Sequence, residues 1–264
     1  MNSRRSRIGT VISIALFAFL YAPLVVVVEQ SLNNSARGGA WRGSTLRWYE
    51  MAMHNSVALD AARTTLWLGL GSTVIASALG TLLALGLSGG HFRGRRLIET
   101  TTLLPVVIPD IVMAIALLLF FREVREGLNV LDPGLLTMTL AHVTFQIPFV
   151  ALVVRARLAG FDHTLEEAAR DLGANRWQTF WRVKFPLIWP GILAGALLAF
   201  TLSIDDFVVS FFTTGPGATT LPILIYSSVK RGITPEINAF STLFIVAAII
   251  ATLSLTALQS RVKK

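Results

Sequence analysis

Three carboxylates lie in or beside long apolar stretches of this sequence: Asp110, Asp205 and Asp206. A carboxylate at the centre of a membrane helix costs about 2.5–3.5 kcal/mol on insertion scales, so it must face water, a cation or a protein partner. One chemistry that meets this need is attraction of a cation along a path through the membrane. Adjacent carboxylates such as Asp205 and Asp206 repel one another, and a diamine passing between them relieves the repulsion. Each of the three also has a plainer role available, as a hydrogen-bonded group at a helix break or as a solvated helix end. A second chemistry is proteolysis by paired aspartates. The Gly-x-Gly-Asp motif that accompanies the catalytic aspartate of intramembrane aspartyl proteases is absent: Asp110 follows Ile108-Pro109 and Asp205 follows Ser203-Ile204. His142 reads as a packed or hydrogen-bonded side chain, because four scattered histidines and no cysteine give no metal-ligand spacing. No Gly-x-x-x-x-Gly-Lys-Ser/Thr run occurs, so this chain has no nucleotide loop of that type and its energy must come from a partner.

The elements that position these groups follow from composition. The chain has 264 residues, 53% hydrophobic and 14% charged, with mean hydropathy +0.65. Those values describe a polytopic membrane protein. The formal charge of +8 is then a topology signal rather than a nucleic-acid footprint. Apolar stretches at about 8–28, 64–88, 99–121, 135–154, 187–212 and 238–258 predict six spans, each long enough for a hydrocarbon core of about 30 Å. Pro105 and Pro109 break the third. Its Asp110 falls about 15 Å deep at 1.5 Å per residue, while Asp205 and Asp206 fall toward the outer end of the fifth. The first span lacks a small-x-small cleavage site and reads as retained. Residues 46–53 can form an interfacial helix, and residues 221–230 a short amphipathic one. With both termini inside, inner segments carry 15 of the 23 Lys and Arg, as the positive-inside rule requires. The expectation is one all-α domain over residues 1–264.

The longest polar run in the C-terminal half is residues 163–186, HTLEEAARDLGANRWQTFWRVKFP. Thr164 and Glu167 have capping-box spacing. Leu165, Ala168, Ala169 and Leu172 share a small-residue helix face, Glu166 and Arg170 pair at i,i+4, and Gly173 is placed to end the helix in a left-handed conformation. Trp177, Phe180 and Trp181 share one side of a second short helix, and Pro186 suits the first turn of the next span. An ordinary helix-turn-helix between two spans would show some of these features. The whole pattern resembles the EAA loop of permease subunits of binding-protein-dependent ABC transporters: Glu167-Ala168-Ala169, Gly173 four residues on, then Val183-x-Phe185-Pro186. The family's usual ending is Ile-x-Leu-Pro, from which this one departs mildly. The resemblance implies a cytoplasmic coupling loop, about 159–186, that docks on an ATPase through Glu166, Glu167, Ala168, Ala169, Leu172 and Gly173.

A second likeness covers nearly the whole chain. Tyr21-Ala22-Pro23-Leu24, Trp48-Tyr49, Ala141-His142-Val143-Thr144-Phe145, residues 200–210 and Gly215-Pro216-Gly217-Ala218-Thr219-Thr220-Leu221-Pro222 resemble the polyamine permeases of putrescine and spermidine type. The run from Gly215 is most like the putrescine member. This resemblance implies a type I ABC importer permease fold in the bacterial inner membrane. It also implies a second homologous permease subunit, two ATPase subunits holding ATP and Mg, and a periplasmic polyamine-binding protein. The permease itself needs no cofactor or metal. Asp110, Asp205 and Asp206 then become substrate-pathway residues. The same class of permease also serves ferric ion, thiamine or phosphonates. A stand-alone secondary transporter would leave the coupling loop without a purpose.

Overall fold

The computed structural model describes residues 2–35, 39–90, 92–162, 164–232 and 234–262, with the backbone alone at 2–8, 248 and 251–262. His163, at the start of the coupling loop, and the topology residues Arg37, Lys263 and Lys264 lie outside the described residues. All named elements are helical, and an isolated antiparallel bridge between Asn33 and Ser44 is the β feature among the described residues. The chain divides into two compact units, one of Met1–Leu59 with Leu224–Lys264 and one of Asp60–Ile223.

In the first unit, α1 (Asn2–Leu32) packs along α12 (Pro235–Val262), and α2 (Arg47–His54) packs on α12 as well. The sequence places an interfacial helix at 46–53. The helix is there, and its Trp48 and Ala52 are buried against Ala239. Trp48 Nε1 donates to Asn33 O at 2.8 Å, which satisfies the indole's polar edge. Met51 and Met53 on the other side remain exposed.

The second unit is built around α6 (Leu135–Ala159), whose principal partner is α9 (Phe185–Ile204). His142, Gln146, Val150, Val154 and Leu158 recur every four residues along α6, and all are buried. The wall is completed by α3 (Ser56–Ser88). A methyl group built on Gly80 of α3 would meet Val150 Cβ at 2.7 Å, and one on Gly195 of α9 would meet Val150 Cγ1 at 3.2 Å. Small residues bring the three backbones together, which is how helices associate where lipid removes the hydrophobic driving force.

The third expected span is not one rod. It consists of α4 (Arg95–Val107) and α5 (Asp110–Leu128), bent by 111°. Pro109 is the cause: it drives Ile108 out of the helical region to φ −70°, ψ 133°, so the first helix must end there. Pro105 is carried inside α4. The fifth expected span also differs at both ends. It starts at Arg176, because α8 (Arg176–Thr179), a π turn (Phe180–Lys184) and α9 form one continuous 29-residue helix. The π turn lies just before Pro186, where the ring and the missing N–H disrupt an α-helical ladder. The span stops at Ile204, and α10 (Val208–Thr213) is separate. Among the described residues, four helices are long and apolar enough to cross a membrane, or five with the bent pair as one, against the six expected. The sixth expected span falls on α12, of which Pro235–Ala247 is the apolar stretch found among the described residues.

The connection between α10 and α11 (Leu221–Arg231) is anchored by Leu221 N–H on Thr65 Oγ1, 2.8 Å. At Gly215 the backbone lies so close to the neighbouring loop that an added Cβ would sit 2.0 Å from Pro133 O. A carbonyl cannot rotate away as a side chain can. Gly215→Ala should therefore cost about 1–3 kcal/mol, the usual range for overpacking. The check is thermal stability of the purified protein in detergent, with Gly217→Ala as a comparison that meets no atom within 4 Å but carries a φ of +75°.

Candidate functional site

The interruptions in α4–α5 and in α9–α10 meet at one place. A cavity of about 330 Å³ is lined by Asp110 and Met113 of α5, Phe145 and Phe149 of α6, and Asp205 and Asp206 from the break after α9. Sequence reasoning spaces the three aspartates along a path, with Asp110 near mid-membrane and the pair farther out. The structure instead puts all three on the wall of a single cavity. Asp110 is not ten residues into a helix; it is the first residue of α5, immediately after the Pro109 break. Irregular backbone at membrane depth is tolerated where it lines a cavity or is buried in protein, and both breaks meet that condition.

The three carboxylates are not equivalent. Asp206 is engaged: Oδ1 accepts Val209 N–H at 3.2 Å, and Oδ2 accepts Ser210 N–H at 2.7 Å. It thereby caps the first turn of α10, and its side chain is 11% exposed. Asp110 and Asp205 are exposed and make no ion pair among the described residues. They are the carboxylates available to a ligand.

Behind Asp206 lies a buried polar network that sequence reasoning reduces to one hydrogen-bonded histidine. His142 is fully buried, with Nδ1 2.7 Å from Ser203 Oγ and Nε2 3.0 Å from Ser210 Oγ. Asp206 Oδ2 lies 3.4 Å from the same Nε2. Ser203 Oγ lies 3.4 Å from Ser72 Oγ, and Gln146 Nε2 donates to Ser72 Oγ and to Ala199 O, each at 3.1 Å. The signal in the sequence is the four-residue spacing of His142 and Gln146 on an apolar helix. Their partners come from α3, α9 and α10, which spacing along one helix does not reveal. Among the described residues no group of side chains is arranged to hold a metal ion.

The polar loop forms a compact pair of turns. The first is α7 (Thr164–Asp171). The expected Thr164–Glu167 capping box is not what starts it: Asp162 Oδ1 accepts both the N–H and the hydroxyl of Thr164, at 2.9 and 2.8 Å. Asp162 wins because its short carboxylate already lies beside the free N–H at the helix start. The other end forms as expected. Gly173 has φ +85°, with Gly173 N–H on Arg170 O and Ala174 N–H on Ala169 O at 2.9 and 3.0 Å, a Schellman cap. Asn175 and Gln178 form the reciprocal capping box of α8. The two glutamates divide. Glu166 turns inward, 2.9 Å from Lys184 Nζ and 3.5 Å from Arg170 Nη2, holding α7 to the π turn. Glu167 is exposed with no ion pair among the described residues. Beside it, Leu172 is 90% exposed and Trp177 71% exposed, Ala168 is exposed and Ala169 half-buried. That is an uncovered apolar face with a carboxylate next to it.

Comparison with known proteins places this architecture. Over 262 residues, 98% of this chain and 93% of the relative, the sequence is 40% identical to the putrescine transport system permease protein PotI of Escherichia coli (strain K12). It is 39% identical to the spermidine/putrescine transport system permease protein PotC of the same strain, covering 91% of this chain and 89% of the relative. The fold matches a solved bacterial ABC transporter involved in the import of the acidic polysaccharide alginate. The TM-score is 0.72 at 18% identity, covering 97% of this chain and 98% of that one. The family model for the binding-protein-dependent transport system inner membrane component matches residues 76–264, which contain both the cavity and the polar loop. This chain belongs to that family of inner membrane transport components.

Proposed function

We propose that this chain is one of two related permease subunits of an ATP-driven importer of polyamines, with putrescine the substrate. It forms half of the membrane pathway. A periplasmic binding protein delivers the substrate, and two ATPase subunits bind ATP and Mg and supply the energy. The chain is then a conduit and a lever, with no catalysis of its own. The observation that carries the substrate class is the cavity: two exposed carboxylates, Asp110 and Asp205, on a wall shared with Asp206. A linear diamine with an ammonium at each end matches two separated carboxylates, and several weak contacts let it leave again. The likeness to putrescine and spermidine/putrescine permeases supports the same reading.

The lever is the continuous helix of residues Arg176–Ile204. Its 29 residues reach roughly 40 Å at 1.5 Å per residue, from the polar loop to the cavity rim at Asp205. A push on the loop is thereby transmitted along a rod to the carboxylates. In this reading the ATPase covers Leu172, Ala168 and Glu167 and packs close at Ala169 and Gly173, while Glu166 keeps the loop rigid.

Two experiments test the proposal. Loss of a hydrogen bond to a charged group costs about 1.5–3 kcal/mol, so Asp110→Asn and Asp205→Asn should each lower uptake roughly tenfold or more. The measurement is radiolabelled putrescine uptake at matched protein levels. Wild-type rates in both variants would mean that the carboxylates are structural and that the acidic pathway is wrong. For the loop, Gly173→Val forces a β-branched residue to positive φ and should insert normally yet release the ATPase on purification and lose uptake. Gly173→Asn, which tolerates that conformation, should retain much of both. Glu167→Gln should weaken ATPase retention more than Glu166→Gln if Glu167 is the outward contact.

A further inference from the structure

We propose that His142 is the positioning residue of the acidic cavity: it bridges the end of α9 to α10 and so fixes the direction in which the intervening carboxylates face. Residues 205–207 form the break between α9 and α10, where the helical ladder is interrupted. Two serines flank the break, Ser203 on α9 and Ser210 on α10, and the imidazole sits between them at 2.7 and 3.0 Å. A neutral imidazole offers one donor and one acceptor, and a serine hydroxyl serves either role, so the bridge is fully satisfied in either tautomer. Asp206, 3.4 Å from Nε2, is held on its other side by two N–H groups of α10. The ring itself is braced by Phe145, 5.2 Å between centroids, which also lines the cavity. His142 is fully buried and touches no ligand; it acts through Ser203, Ser210 and Asp206. A buried bridge of this kind is expensive to break, because each polar group left unpaired costs about 1–3 kcal/mol. The break therefore cannot drift, and Asp205 stays directed at the cavity.

The sequence supplies the test, since it contains no cysteine. The single substitution Leu202→Cys puts the only thiol of this chain on the cavity wall, and a cationic methanethiosulfonate reagent reads its environment without any transport. In the assembled complex, His142→Leu keeps volume and removes both hydrogen bonds, whereas His142→Gln restores one donor and one acceptor. The labelling rate of the introduced thiol should change severalfold in His142→Leu and return to within about twofold in His142→Gln, because each restored hydrogen bond is worth roughly 1 kcal/mol. Putrescine uptake should fall and partly recover in the same order. The effect on uptake rests on the acidic-pathway reading, but the labelling does not. Unchanged uptake in Asp110→Asn and Asp205→Asn would remove the pathway and leave the positioning intact. Unchanged labelling in His142→Leu, or equal disturbance in His142→Leu and His142→Gln, overturns the positioning role in favour of packing alone. If His142→Leu fails to assemble, Ser203→Ala with Ser210→Ala removes the same bonds with the imidazole kept, and unchanged labelling there overturns the proposal equally.

Discussion

The second unit depends on the contact of Val150 with two glycines. Gly80 of α3 leaves no room for a methyl group against it, and Gly195 of α9 leaves room only for a tight one. In water such a contact would be one among many, reinforced by the burial of apolar surface. In lipid the tails are as apolar as the side chains, and association rests on close packing and hydrogen bonds. Three helices drawn together at Val150 bring everything else on α6 into register. Four and eight residues toward its N-terminus, Gln146 and His142 meet Ser72, Ala199 O and Ser203. Toward its C-terminus, Val154 and Leu158 continue the apolar seam with Ala84, Ile188 and Ile192.

That register has a consequence at the cavity. Two helices are interrupted, one at Ile108-Pro109 and one at residues 205–207, and interrupted backbone leaves polar groups that lipid cannot satisfy. The protein resolves this by placing both breaks on a shared cavity and tying one of them to a buried histidine. The interruptions also deliver carboxylates that a straight helix would aim into lipid or a neighbour. Cost and use coincide: the irregular segments that need a polar environment are those that create one.

The polar loop shows a parallel division between internal and external duties. Glu166 is consumed by Lys184 and Arg170, and the aromatic ladder of Trp177, Trp181, Phe185 and Trp189 runs from the loop into the first turns of α9. These contacts make the loop and the following helix a single stiff body. The face bearing Leu172, Ala168 and Glu167 is left uncovered by the described residues. Rigidity within and an apolar face without are what a surface needs if it is to receive a force and pass it on.

By itself the sequence determined the membrane class, the order of helices, the position of the polar loop and the Gly173 cap. Each of these depends on local composition or on residues within a few positions of one another. It also marked Asp110, Asp205, Asp206 and the internal glutamate–arginine pair. Only the tertiary structure decided that the three aspartates share one cavity, because their proximity depends on a 111° bend at Pro109 and on a helix that stops at Ile204. It likewise decided that Asp206 and Glu166 are already occupied while Asp205, Asp110 and Glu167 are not. It corrected the cap of α7 from Thr164 to Asp162 and buried one face of α2 on α12. A sequence shows which residues carry charge and how far apart they are along the chain. Which of them find partners depends on contacts between helices distant in sequence, and that pairing separates a structural carboxylate from one free to meet a ligand.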